Sequence, residues 1–171
     1  MKQLRLFTDD EKNNSRSAGV NLNTVKKSFG GSLTIGKRKA KRPLKVNQPL
    51  HLILKANYKF VFNPRNHTLI KLIENQAVKF EIKIDQLAVN FSHIHFVIRF
   101  SSEDHYKKFI RSLTSLLAIK IRKQYPEFQN IFQLRPYTRV IEWGKDYNNV
   151  LHYSLKNIHE AYGVKMYSEK S

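Results

Sequence analysis

The sequence predicts an α+β domain of the ferredoxin-like class, an antiparallel sheet with the order βαββαβ and an added C-terminal helix. Two kinds of pattern lead to this prediction. Three segments carry apolar residues every three or four positions, which is typical of amphipathic helices. Short segments rich in β-branched and aromatic residues lie between them, as expected of strands. Along the chain the segments follow as strand, helix, strand, strand, helix, strand and helix.

Each element is assigned from its own pattern. Residues 50–56 (LHLILKA) form a short apolar run suited to a buried strand, and residues 68–80 carry apolar side chains at helical spacing. Residues 82–100 are dense in strand-forming residues around a turn near Asn90–Ser92, which predicts a hairpin. The remaining elements are a helix over 102–125, a strand over 133–143 and a helix over 146–162 with Asp146 as its N-cap.

Composition limits the classes of function. The chain has 171 residues, 31 Lys+Arg against 13 Asp+Glu, a net charge of +18 and no cysteine. Positive charge favours a polyanionic partner, because each neutralised phosphate releases condensed counterions. The lack of cysteine excludes disulfides, thiolate zinc sites and a catalytic thiol. No apolar run has the length of a membrane span and no signal-peptide core is visible, so we expect a cytoplasmic protein without a membrane partner.

The charge divides the chain into two parts. Residues 1–46 carry 12 Lys/Arg and 3 Asp/Glu, a net charge of +9, and show no sustained apolar period. We therefore predict a basic, flexible arm over residues 1–46 and a catalytic domain over residues 47–171; a merely solubilising tail is the alternative for the arm. The residues expected to contact nucleic acid are Lys37, Arg38, Lys39, Lys41, Arg42, Arg99, Arg135 and Arg139.

Two histidines share one face of the predicted strand at residues 92–100 (SHIHFVIRF). Side chains alternate along a strand, so Ile94 and Phe96 face the core while His93 and His95 face the other side. Two imidazoles two residues apart can converge on one divalent ion. Polar surface is the alternative interpretation, and because the pattern is short it needs a second element.

The second element is the helix that contains NNVLHYSLKNIHEAYG. An apolar stripe on this helix is expected to face the core, and its members are Leu151, Leu155, Ile158 and Tyr162. Tyr153 points about 200° away from Leu151 at roughly 100° per residue, and Asn157 lies one turn after Tyr153. A tyrosine hydroxyl is a poor nucleophile unless the electrophile is activated, as a phosphate-bound cation would do. A tyrosine that stacks on a base is the alternative.

Together these residues resemble the single-tyrosine HUH transposases, which include insertion-sequence and REP-associated members. The resemblance spans about residues 49–160 and rests on His93 and His95 at the end of a hairpin and on Tyr153 with Asn157 in the closing helix. It implies that His93, His95 and Asn157 ligate Mg²⁺ or Mn²⁺. It also implies that Tyr153 attacks a phosphate of single-stranded, hairpin-containing DNA, leaving a 5′-phosphotyrosine and a free 3′-hydroxyl. The implied enzyme is a metal-dependent endonuclease and strand transferase, acting as a monomer or homodimer.

Three features depart from the family pattern. Ser92 stands where relatives often have Asn, Ile158 follows Asn157 where Pro is frequent, and an N-terminal motif of the Gly-Pro-Ser-Arg type is missing. The implied ligands and nucleophile are kept, while the DNA target and the subfamily stay open. A non-catalytic, domesticated nucleic-acid-binding protein is the alternative from another class. A rolling-circle initiator or relaxase is a third, against which the small size and the lack of a second tyrosine pair argue.

Overall fold

The computed structural model describes residues 28–38 and 40–163. Its elements are β1 (Ser28–Phe29), β2 (Leu50–Lys55), α1 (His67–Lys79), β3 (Ile82–Val89), β4 (His93–Phe100), α2 (Glu103–Gln124), β5 (Tyr137–Val140) and α3 (Lys145–Ala161), with a short 3-10 turn at Gly31–Thr34. From β2 to α3 the order is the one that the sequence predicts. The ferredoxin-like α+β class and the added C-terminal helix are therefore confirmed.

The five strands form one antiparallel sheet in the order β1-β5-β2-β4-β3. β4 pairs with β2 on one side and with β3 on the other. The register places Leu52 opposite Phe96 and His51 opposite Val97. Because side chains alternate along each strand, β2 and β4 present apolar residues to one side of the sheet and histidines to the other.

The hydrophobic core lies on one face of the sheet, which we call the core face. β2 and β4 contribute buried side chains to it: Leu50, Leu52, Leu54, Ile94, Phe96 and Ile98. α1 and α2 cover this face with Leu69, Ile73, Ala77, Phe109, Leu113, Leu117 and Ile121. Both helices begin at a polar N-cap, Asn66 for α1 and Ser102 for α2. In the described part of the chain, no helix is both long and apolar enough to cross a bilayer.

α3 packs against the opposite face of the sheet, which we call the site face. Val150 joins Val97 and Ile141 in a small apolar cluster there. The predicted apolar stripe is only partly buried: Leu151 packs against this cluster, whereas Leu155 and Tyr162 are each 42% exposed. The buried positions of α3 are Val150, Ser154 and Asn157, because this surface of the sheet is partly polar. Small and polar side chains of α3 therefore meet it more closely than the bulky apolar ones do.

The region around β5 also differs from its prediction. The strand expected over residues 133–143 contains only Tyr137–Val140, preceded by Pro136, which has no N–H to donate to a strand pair. α3 begins at Lys145, so Asp146 lies inside its first turn instead of at the N-cap. The Asp146 carboxylate accepts a hydrogen bond from the backbone N of Glu142 at 3.1 Å.

Part of the basic arm lies against the sheet. β1 pairs with β5, with Ser28 opposite Arg139, although the sequence predicts a flexible arm up to residue 46. Gly30 has φ 90 and lies so close to the carbonyl group of Pro136 that a Cβ would collide with it. Arg42 donates hydrogen bonds to Pro136 O at 2.8 Å and to Thr138 Oγ1 at 2.6 Å. These contacts are made mainly to backbone atoms. They need no regular spacing of apolar side chains, and so the sequence gives no sign of them. Residues 1–27 of the arm and Lys39 lie outside the described residues.

Candidate active site

β4 places His93 and His95 side by side on the site face. Their ring centroids are 4.8 Å apart, with the planes inclined at 71°. His95 is 0% exposed, whereas His93 at the strand end is partly exposed. The register sets Ile53 of β2 beside His95 and Lys55 beside His93. The two imidazoles thus form a small polar surface whose inner end is shielded from solvent.

Both ring nitrogens of His93 have polar neighbours. Asn90 Nδ2 lies 3.1 Å from Nε2, and Ser92 Oγ lies 3.1 Å from Nδ1. An amide nitrogen can only donate, so Nε2 accepts from Asn90 and Nδ1–H points to the Ser92 hydroxyl. Ser92, where relatives often have Asn, therefore orients the His93 ring in this chain. A ligand that takes the Nε2 lone pair must displace the Asn90 amide.

The two nitrogens of His95 differ from each other. Nδ1 lies 3.2 Å from Nε2 of His51, a histidine of β2. Nε2 is buried and has no hydrogen-bond partner within the protein. A buried polar atom without a partner is unfavourable unless a ligand satisfies it. A ligand that bound to Nε2 of His95 would therefore remove the free-energy cost of this buried, unpartnered nitrogen.

Burial favours the neutral form of these imidazoles. Burial first, and the positive charge of Arg139 second, lower the pKa of His51 to about 4. Burial first, then His51 and His93, lower the pKa of His95 to about 2. The pKa of His93 is also lowered, by burial and then by Lys55. Neutral imidazoles keep a lone pair available for a cation at neutral pH.

α3 brings Tyr153 to the histidines and carries Asn157 one turn later. The Tyr153 ring centroid lies 5.9 Å from that of His95 and 6.5 Å from that of His51, edge-on to both. Asn157 is buried and donates from Nδ2 to the carbonyl oxygen of Tyr153 at 3.0 Å. This bond occupies the amide nitrogen, so Oδ1 is the atom with which Asn157 can ligate a cation. Three of the four site residues predicted from the sequence, His93, His95 and Tyr153, thus have neighbouring rings, and Asn157 lies one turn after Tyr153 on α3.

The basic residues expected to contact nucleic acid fall into two groups. Arg99 pairs with Asp85 at 2.6 Å and Arg139 with Asp146 at 3.0 Å, so a carboxylate already neutralises each guanidinium. Arg42 binds β5, as described above, and Lys41 lies 3.7 Å from Glu103. The second group is exposed and consists of Lys37, Arg38 and Arg135; Lys39 lies outside the described residues.

Sequence reasoning missed His51. This residue is only 2% exposed and lies in the apolar run of β2, whose pattern predicts a buried strand and gives His51 no separate role. Its ring meets that of His95 edge to edge and nearly coplanar, with centroids 5.5 Å apart and planes inclined at 19°. The available signal was a single polar residue inside the run LHLIL, at an alternate position from the leucines. Its partner could not be identified, because the pairing of β2 with β4 is a long-range contact.

The chain is similar to a known protein family in sequence and to solved structures in fold. The family model described as IS200-like transposase matches residues 45–150, more than half of the sequence. The matched range includes His93 and His95 and ends before Tyr153 and Asn157. No curated protein matches the sequence significantly.

Two solved structures are similar to this chain. One is a REP-associated tyrosine transposase bound to a REP hairpin, with a TM-score of 0.50 and 14% identity over 72% of this chain and 74% of that chain. The other is a protein of Deinococcus radiodurans R1 that has been assigned to the transposases, with a TM-score of 0.45 and 14% identity over 71% of this chain and 98% of that chain. At 14% identity, the first likeness shows a shared fold.

Proposed function

We propose that this chain, which belongs to the IS200-like transposase family, is a metal-dependent endonuclease and strand transferase that cuts single-stranded DNA through a 5′-phosphotyrosine intermediate. The observation that carries the proposal is the position of Tyr153 beside the two histidines of β4. In this proposal Tyr153 is the nucleophile, and His93, His95 and Asn157 are ligands of Mg²⁺ or Mn²⁺. Tyr153 and the histidines lie together within one chain, and a monomer or a homodimer suits the proposal.

The donor set fits a divalent cation. The unpartnered Nε2 of His95, the adjacent His93 ring and Oδ1 of Asn157 are all neutral, so the full ionic charge stays available to a phosphate. Among residues 28–38 and 40–163, no three His, Cys, Asp or Glu side chains form a metal-binding group, and in this proposal the amide of Asn157 supplies the third ligand. When bound, the cation would polarise the phosphoryl group and offset the charge on the leaving oxygen.

The protein's own residues supply the nucleophile and its orientation. Oη of Tyr153 attacks phosphorus, the bond from phosphorus to the 3′-oxygen breaks, and the DNA 5′-phosphate becomes a tyrosine ester. The phenol proton passes to water, and the departing 3′-oxygen takes a proton from water, so atoms and charge balance. α3 holds the phenol against the histidine rings, which removes much of the entropic cost of bringing it to a bound phosphate. A 3′-hydroxyl can reverse the reaction without ATP, because the ester conserves the energy of the phosphodiester.

The test uses single-stranded oligonucleotides that carry a hairpin with randomised flanks, incubated with the full chain and Mn²⁺. A 5′-phosphotyrosine retains the DNA on the 3′ side of the cut. Therefore a 3′-labelled oligonucleotide should give a covalent adduct in a denaturing gel, and a 5′-labelled one should give only a shorter free strand. Tyr153→Phe and EDTA should each abolish the adduct.

Two matched controls accompany this test. Tyr162→Phe alters another tyrosine near the end of the same helix region, and His67→Ala alters an exposed histidine at the start of α1; both should keep the adduct. An adduct that persists in Tyr153→Phe would show that the nucleophile is wrong. If wild type binds the oligonucleotides equally with and without EDTA and forms no adduct, the chain is a non-catalytic nucleic-acid-binding protein.

A further inference from the structure

His51 lies beside the proposed metal ligand His95, on the neighbouring strand and the same face of the sheet. Its ring reaches diagonally across the sheet, because in the register His51 lies opposite Val97 and Ile53 lies opposite His95. The contact joins Nε2 of His51 to Nδ1 of His95 at 3.2 Å, with both residues buried. Neither imidazole is needed to fill the apolar core, which lies on the other face. A buried pair of this kind calls for an explanation from the site itself.

The hydrogen bond between the two rings allows two proton arrangements. In the first, His95 donates from Nδ1 to His51, and the lone pair of His95 is on Nε2. In the second, His51 donates from Nε2, and His95 carries its proton on Nε2, where the protein offers no partner. The second arrangement leaves a buried donor unsatisfied, and a cation cannot bind at that nitrogen. Only the first arrangement turns the unpartnered nitrogen into a ligand.

We propose that His51 is a positioning residue that accepts the Nδ1 proton of His95 and so directs the Nε2 lone pair of His95 into the site. This role rests on the proposed function, because it matters only if a cation binds there. Histidine ligands commonly donate their second ring N–H to an acceptor that fixes tautomer and orientation. Here the acceptor is a second histidine, held edge-on between the rings of Tyr137 and Tyr153 at 6.4 and 6.5 Å.

The experiment measures Mn²⁺ binding in the Tyr153→Phe protein, so that its result does not depend on activity. His51→Phe keeps a ring in the cavity and removes the acceptor, and His51→Gln restores an acceptor oxygen. We expect His51→Phe to weaken Mn²⁺ binding about 10- to 100-fold and His51→Gln to weaken it less than about 5-fold, as titrated by the EPR signal of free Mn²⁺. His105→Phe, on α2, is the matched control and should bind as the parent does.

Imidazole ¹⁵N chemical shifts give a second readout without metal. In the parent protein His95 should carry its proton on Nδ1, and in His51→Phe the two tautomers of His95 should mix. A parent in which Nε2 carries the proton overturns the proposal, and so does a His51→Phe variant with unchanged Mn²⁺ affinity. If the parent binds no Mn²⁺ at all, the metal-dependent function fails, and the role of His51 fails with it.

A different observation concerns two exposed phenylalanines near the outer end of the site. Phe91 lies in the β3–β4 turn, two residues before His93, and Phe60 lies in the loop that follows β2. Their ring centroids are 5.5 Å apart, and the side chains are 69% exposed for Phe60 and 43% for Phe91. Large apolar rings in solvent beside a candidate active site suggest that a ligand covers them.

The backbone holds this pair in place. Hydrogen bonds from Ala56 N to Ser92 O at 2.8 Å and from Phe62 N to Phe91 O at 3.0 Å join the loop to the turn. Phe60 has φ 62, a left-handed conformation that is unfavourable for a bulky side chain. The fold thus places the Phe60 ring in solvent at a conformational cost. Such a cost persists where the surrounding structure or a function maintains it.

The surroundings of the pair are basic. Residues 55–65 contain no Asp or Glu and have three exposed cations, namely Lys55, Lys59 and Arg65, and residues 89–93 also contain no acid. Lys55 lies beside His93 in the register, so the charge continues to the site. Single-stranded nucleic acids bind surfaces of this kind, on which cations neutralise phosphates and aromatic rings stack on bases.

We infer that Phe60 and Phe91 form a stacking platform for an unpaired DNA base adjacent to the phosphate at His93. The inference uses the single-stranded DNA of the proposed function but not its metal. The test is Phe60→Gly, which removes the ring and relaxes the backbone. The dissociation constant for a fluorescent single-stranded oligonucleotide, measured by anisotropy in EDTA, should rise about 5- to 100-fold. The melting temperature should stay the same or rise, because glycine accepts the left-handed conformation.

A ring that serves only packing would give the opposite result, a lower melting temperature with unchanged DNA binding, and that result overturns the platform. Val78→Ala, which trims an exposed apolar residue of α1, is the matched control and should leave the dissociation constant unchanged. Binding of a duplex of the same sequence should not respond to Phe60→Gly, because its bases are already stacked. If wild type binds no single-stranded oligonucleotide, the proposed function itself is contradicted.

Discussion

The core face and the site face of the sheet are built from alternate residues of the same strands, and they differ in what burial achieves. Phe96 and His95 are neighbours in β4 and both are 0% exposed. Phe96 packs among apolar side chains on the core face. His95 on the site face keeps one buried nitrogen without a partner. Burial on the core face stabilises the fold, whereas burial on the site face prepares a polar atom for a ligand.

The two faces also differ in how completely the helices cover them. α1 and α2 provide a continuous apolar layer over the core face. α3 adds only a small cluster around Val97, Ile141 and Val150 on the site face, with Tyr147 and Leu151 packed against it. The incomplete apolar cover leaves space for the imidazoles and for Tyr153. Stability and the proposed chemistry are thus assigned to opposite faces of the sheet, because side chains alternate between the two faces along each strand.

The largest effect expected from this separation is on stability. Phe96→Ala should lower the free energy of unfolding by about 3–5 kcal/mol, because it empties a site in the core. His95→Ala, one residue away, should lower it by less than about 2 kcal/mol, because the lost ring also removes an unsatisfied nitrogen. Denaturant unfolding in EDTA measures both values. Equal losses would break the comparison and make the site face part of the structural core.

The next effect is a pH dependence of the free energy of unfolding, which the buried histidines of the site face produce. His51 and His95 have folded-state pKa values of about 4 and about 2, below that of an unfolded histidine, so the unfolded chain binds more protons. Their stabilisation is therefore present above about pH 6.5 and lost as the pH falls below it. Between pH 7 and pH 5 the free energy of unfolding should fall by about 2–4 kcal/mol.

Arg139 and Asp146 also act on His51, with opposite signs. The double variant His51→Gln/His95→Gln separates the histidines from these charges and should flatten the pH dependence. Unfolding at pH 7, 6 and 5 in EDTA measures the slope for both proteins. A double variant as steep as wild type would assign the pH dependence to other groups.

A smaller effect tests which side of α3 meets the sheet. Val150→Ala should cost about 1–2 kcal/mol of unfolding free energy, since Val150 is buried against Val97 and Ile141. Leu155→Ala should lower it by less, about 0.5 kcal/mol, since Leu155 is 42% exposed and lies outside the apolar cluster. Thermal unfolding ranks the two variants. The reverse order would support the apolar stripe that the sequence predicts.

The smallest effect concerns two cations that the sequence predicts to contact nucleic acid, Arg135 and Arg99. Arg135→Ala should reduce the slope of log Kd for single-stranded DNA against log salt by about 0.7, because it removes an exposed charge that forms no ion pair among the described residues. The double variant Arg99→Ala/Asp85→Asn should leave the slope unchanged, because it removes a neutralised pair. Anisotropy titrations at several salt concentrations measure both slopes. A change in the double variant would show that Arg99 reaches phosphate in spite of Asp85.

The sequence by itself determines the features that depend on local periodicity. Alternation along β4 separates Ile94 and Phe96 from His93 and His95, and the helical repeat sets Asn157 one turn after Tyr153. The order of strands and helices follows from the same periods, so the fold class could be predicted. Even the basic excess is a property of composition.

Only the tertiary structure decides the features that depend on contacts between distant segments. The register of β2 against β4 brings His51 to His95, and the pairing of Arg99 with Asp85 depends on a sheet irregularity near Gln86. The side of α3 that is buried follows from the polar surface it meets. The spacing of apolar residues within one helix carries no information about the surface against which that helix packs. Local patterns report which residues share a face, and only packing between faces decides what each one touches.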